Sequence, residues 1–139
     1  MMKRSEKGHF APPPRLAPPH AQSLSETLAR WPGTEARTHW FLGDESTVDG
    51  ADFYVGEDEL GHLHLDGEAH VAVGTALRDA LVRAKLAHPF VYSRAFVTWP
   101  VDSAADRARA EWLFSLRYGV LTGGSVDEAL RQVQAGPAR

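Results

Sequence analysis

Apolar and polar residues repeat along this chain with two different periods, and the switch between them predicts the order of its elements. Thr34 to Leu42 alternates loosely and is rich in threonine and aromatic residues, which suits a strand. Val48 to Val55, Glu59 to Leu65, Ala69 to Val73 and Ala95 to Val101 predict four further strands. Turn residues separate the first runs at Gly43 to Ser46, Gly56 to Asp58 and Asp66 to Glu68. Elsewhere apolar residues fall three or four apart. Leu24, Leu28 and Trp31 predict a short helix capped by Ser23 or Ser25 and stopped at Pro32-Gly33. Leu77, Leu81 and Ala84 predict a second, from Thr75 to about Ala87. His88-Pro89 closes it, because the residue before a proline avoids helical geometry. Ala108, Trp112, Leu116 and Val120 mark a longer helix from Asp102 or Ser103 to Leu121. Ser125 and Glu128 have capping-box spacing and start a last one.

Hairpin-linked strands followed by helix, strand and helices predict an α+β fold. We expect a single domain, with a mainly antiparallel five-stranded sheet and helices packed on one face. A length of 139 residues, 43% of them hydrophobic, fits one such core. Residues 1–20 contain Pro12, Pro13, Pro14, Pro18 and Pro19 and read as a proline-rich disordered tail, leaving 21–136 as the folded domain.

Charge and composition narrow the function. A net charge of −3 argues against a partner held by phosphate neutralisation, so no nucleic acid is expected. No apolar run approaches the ~18 residues of a membrane span, and no apolar stretch follows the basic N-terminus. The cytoplasm is therefore the expected location, without a membrane partner. The absence of cysteine excludes thiol catalysis and thiolate metal centres. The chain has no phosphate loop, dinucleotide fingerprint or nucleophile elbow, so no cofactor is expected. The oligomeric state is left open.

Three of the seven histidines, His62, His64 and His70, fall close together on a predicted hairpin. Imidazole is the side chain that donates, accepts or binds a metal near neutral pH. Strand alternation puts His62 and His64 on one face, and the loop decides where His70 points. A two-residue turn at Asp66-Gly67 sends His70 to the other face. A three-residue loop, Asp66 to Glu68, pairs His64 with His70 and His62 with Ala72. It also gathers Leu63, Leu65, Ala69, Val71 and Val73 on one apolar face, so burial selects it. Against it, glycine usually stands last in such a loop, and here Gly67 is central. The resulting patch admits three readings: a metal site, a metal-free acid–base site, or a solvated polar face. Of the two chemical readings the metal-free site is preferred, with no metal expected. Trp40, Phe41, Tyr54, Tyr92, Phe96 and Trp99 could line a pocket for a flat aromatic ligand, or simply fill a core.

Glu59-Leu60-Gly61-His62-Leu63-His64, Asp66-Gly67, His70, His88-Pro89 and Val97-Thr98-Trp99-Pro100-Val101 together resemble the luciferase-domain family, over roughly Phe53 to Leu121. The family is named for fungal luciferases, which oxidise a polyphenolic pyrone with molecular oxygen and no bound organic cofactor. The resemblance implies a site that deprotonates a small aromatic or enolic molecule. His64 would accept the proton, with His62 and His70 orienting it, and Glu59, Asp66, Trp99 and Tyr92 would hold the ligand. The alternative is a non-catalytic binding module.

Overall fold

A computed structural model describes residues 3–137. Six strands are present: β1 (Thr34–Phe41), β2 (Asp44–Val55), β3 (Asp58–His64), β4 (Glu68–Val71), β5 (His88–Pro89) and β6 (Val97–Pro100). They form one antiparallel sheet in the order β1-β2-β3-β4-β6-β5. Four helices accompany it: α1 (Pro19–Ala29), α2 (Thr75–Arg83), α3 (Ala104–Leu121) and α4 (Val126–Ala135). The α+β class is as the sequence pattern predicts, with six strands rather than five. The added strand is His88–Pro89, whose extended pre-proline backbone pairs with the outer edge of β6. Two residues are too few to show a period.

Helix ends follow local chemistry. Ser103 and Ser125 each accept a hydrogen bond from the backbone three residues on, as their spacing predicts. At the start of α1 the serine caps give way to Pro19, which suits the first helical position because it has no N–H to leave unpaired. The second helix stops at Arg83, ahead of Ala87, where Lys85 turns into the left-handed region at φ 60°.

The core lies between one sheet face and the helices. Phe53, Leu63, Ala69 and Val71 are fully buried with Leu24 and Leu28 of α1 and Leu113 and Phe114 of α3. Each such large side chain contributes about 1.5–3 kcal/mol by leaving water.

The described residues ahead of α1 lie against the sheet and the core. The Thr38 N–H donates to the Ala11 carbonyl at 2.8 Å, Arg37 to that of Gly8 at 3.0 Å, and Trp40 to that of His9 at 3.0 Å. Leu16 is buried in the core. Residues 3–11 thus form a strap beside β1, which satisfies the edge-strand N–H of Thr38 and the side-chain donors of Arg37 and Trp40.

The β3–β4 register keeps the expected parity but slides by two residues. His62 pairs with His70 and Leu63 with Ala69, in place of His64 with His70 and His62 with Ala72. The loop is Leu65-Asp66-Gly67. The His64 carbonyl accepts from the Gly67 N–H at 2.9 Å, and Asp66 Oδ1 accepts from the Glu68 N–H at 2.9 Å. Gly67, at φ 93°, now stands last, where a three-residue hairpin wants it. The correction moves Leu65 off the apolar face into the turn, exposed.

Candidate functional site

The sheet face away from the helices carries the histidines. Cross-strand pairing aligns Asp52 of β2, His62 of β3 and His70 of β4 in one row. The neighbouring row runs from His39 of β1 through Gly50 to His64. Gly50 puts no side chain between the two histidines, and none fits, since a Cβ there would lie 2.0 Å from the Leu63 carbonyl oxygen. His39 stacks on His62, with centroids 4.0 Å apart and planes 10° apart. His64 lies 4.9 Å from His62 and 4.3 Å from His70. Four imidazoles therefore share one cluster, and His39 is the member that the sequence reading missed.

A carboxylate backs every ring. His62 Nδ1 donates to Glu59 Oε2 at 3.0 Å, and His70 Nε2 donates to Glu68 Oε1 at 2.7 Å. Asp49 Oδ2 lies 3.3 Å from His64 Nδ1 and 3.5 Å from His39 Nε2. Asp52 Oδ1 approaches His39 Nδ1 to 3.0 Å, but out of line, so neither atom has a hydrogen-bond partner among the described residues. Tyr54 donates to the other Asp52 oxygen at 3.0 Å. Burial, and then the charge of Asp52, push that phenol well above its ordinary range. Glu59 reaches this face through a bulge. Tyr54 faces Glu59 while Phe53 faces Gly61, so the extra residue reverses the alternation. Its second oxygen meets Lys7 Nζ of the strap at 3.4 Å.

Burial drives His62 well below its ordinary pKa, and the neighbouring His39 adds to the effect. His70 is lowered by burial too, with its bond to Glu68 opposing. A neutral His62 that donates from Nδ1 keeps its lone pair on Nε2.

A cavity of about 570 Å³ opens above the cluster, within the size range of small-molecule sites. His39, His62, His64 and His70 line it, with Phe90 4.7 Å from His70 and Phe96 5.9 Å from His62. Trp40, Phe41, Lys7 and Gly8 add further lining.

Residues 57–117 match the family model of the luciferase domain. Over that segment the chain is similar to the luciferase domain. The match takes in β3, β4, α2, β5, β6 and most of α3, a little under half of the chain. It therefore includes His62, His64 and His70, while His39, Asp49, Asp52 and the strap precede it. No curated protein and no solved structure matches this chain.

The remaining residues named from sequence fall in different places around the site. Tyr92 lines the cavity with 86% of its surface exposed. Glu59 does not line it and lies sealed behind His62. Asp66 is an exposed turn residue outside the cavity. Trp99 pairs with Ala69 and so takes the core side of β6, where its Nε1 donates to Asp106 at 3.2 Å. Of the other aromatics, Trp40, Phe41 and Phe96 line the cavity and Tyr54 is buried outside its lining. Asp49 and Asp52 carried no signal of their own in the sequence. Their place follows from pairing β2 with β3, which brings Gly50 opposite His64 and Asp52 opposite His62. Among the described residues no helix is long and apolar enough to cross a membrane.

Proposed function

We propose that the protein binds a small aromatic or enolic molecule over the histidine cluster and transfers its acidic proton to His64. The carrying observation is exposure. His64 keeps 25% of its side chain open, against 13% for His39 and 9% for His62 and His70, so its ring is the most open of the four to the cavity. Asp49, 3.3 Å from its Nδ1, would hold the resulting imidazolium. The aromatic rings of Phe90 and Phe96 suit a flat ligand, and Lys7 offers a positive charge to its oxyanion. The phenolate or enolate left behind is electron-rich and would pass electrons to molecular oxygen, with no organic cofactor required. The family match supports this reading.

The test is oxygen uptake by the purified chain against a panel of polyphenols and hydroxypyrones. We expect uptake with at least one of them, and a loss of about 100-fold or more in His64→Ala with an unchanged circular dichroism spectrum. Full uptake by a folded His64→Ala variant overturns the assignment. The exposed apolar residues Phe41, Leu42, Val91 and Tyr92 favour a second reading, a non-catalytic binding module. Ligand binding that survives replacement of His62, His64 and His70 by Gln, without turnover in any variant, would select it.

A further inference from the structure

We infer that His39, His62 and His64 form a site for one divalent first-row transition metal ion. Each can present one ring nitrogen such that the ligand atoms all lie within 4.8 Å of one another. Two bonds of about 2.1 Å at a tetrahedral angle put ligand nitrogens about 3.4 Å apart, so small side-chain rotations close the site.

Three independent features point to a cation there. His64 Nε2 and His39 Nδ1 are buried and have no hydrogen-bond partner among the described residues. Leaving such atoms unpaired costs about 1–3 kcal/mol each, and a metal ion would satisfy both. Next, carboxylates occupy the opposite nitrogens: Glu59 on His62 Nδ1 and Asp49 beside His64 Nδ1 and His39 Nε2. That is the arrangement by which proteins fix the tautomer of a metal-bound imidazole and raise its basicity. Finally, the buried Asp52 Oδ1 is unpartnered and lies 3.0 Å from His39 Nδ1 and 3.7 Å from His62 Nδ1, close enough to offset added positive charge.

The donor set chooses the ion class. Imidazole nitrogens without thiolates suit zinc, cobalt, nickel, copper or iron, whereas magnesium and calcium prefer oxygen ligands. A second grouping, Asp52, Glu59 and His62, is also close enough to hold an ion. Both oxygens of Glu59 are already engaged, by His62 and Lys7, so the three-histidine set is preferred. Three protein ligands leave coordination positions for a ligand oxygen, as in catalytic rather than structural zinc centres. The inference competes with the acid–base reading for His64 Nε2, so the two are tested on metal-loaded and metal-free chains separately.

The full chain, stripped with a chelator, would be titrated with cobalt(II) and followed by its visible absorption. We expect saturation at one ion per chain, displacement by zinc, and at least about tenfold weaker binding in His39→Gln. His88→Gln, on β5 and outside the cluster, should bind as the parent does. If His39→Gln fails to fold, Asp49→Asn gives the same readout through the carboxylate behind two of the rings, again with about a tenfold loss. No saturable cobalt spectrum, or one unmoved by a folded His39→Gln or Asp49→Asn, overturns the site. Oxygen uptake by the metal-free chain is measured separately, so failure of either proposal leaves the other readout intact.

Discussion

On β3 and β4, Leu63, Ala69 and Val71 point one way and are fully buried with residues of α1 and α3. His62, His64 and His70 point the other way and meet imidazoles, carboxylates and aromatic rings. The same backbone thus carries two kinds of order. On the helix side, burial is favourable in proportion to area, and a well-shaped apolar residue suffices. On the histidine side every buried polar atom needs a partner, and several, among them His39 Nδ1, Asp52 Oδ1 and His64 Nε2, lack one among the described residues. Stability resides on one face and reactive potential on the other.

The sharpest way to break that division is to cut into each face in turn. Phe114→Ala should remove about 3–5 kcal/mol, read as a lower urea midpoint at unchanged slope. A comparable loss in His64→Ala would show that the histidine side is structural after all. Gly61→Ala should cost at least about 2 kcal/mol, because its backbone sits at φ 149° and the added Cβ would lie 2.3 Å from the His70 carbonyl oxygen. Wild-type stability would mean that β3 and β4 are not as closely paired as described.

Near neutral pH, acidification probes the histidine side. The folded-state pKa of His62 lies below its unfolded value, so its contribution is fully present above about pH 6.5. It is lost as the pH falls toward the folded value, at up to about 1.4 kcal/mol per pH unit for this one group, because only the unfolded chain takes up the proton. His62→Gln should flatten that slope in urea midpoints measured from pH 7.5 to 5. An unchanged slope would move the acid sensitivity elsewhere. The smallest effect belongs to Asp66→Ala, about 0.5 kcal/mol or less, with ligand binding intact. Weakened binding there would bring the turn back into the site.

What could be read from the sequence tracks the same division. The apolar side was legible because burial enforces parity, and a one-residue slip would expose Leu63, Ala69 and Val71 together. A two-residue slide keeps parity, so alternation could not distinguish the expected register from the observed one. The turn decided it, through Gly67 in last position and the Asp66 side chain on the Glu68 N–H. Leu65 misled because an apolar residue beside a strand looks like its continuation. Glu59 shares a face with His62 only through a bulge, which leaves no periodic trace. His39 arrives from a strand whose pairing with β2 shifts register at His39/Trp40 and again at Trp40/Phe41. The family motif was legible in residues; the company those residues keep was not.

The strap bounds the cavity without belonging to the sheet. Lys7 and Gly8 shape the cavity, yet they belong to a segment laid beside the sheet rather than paired within it as a strand. Exchanging residues 3–11 would resize the opening and change its charge while the imidazoles kept their backbone positions.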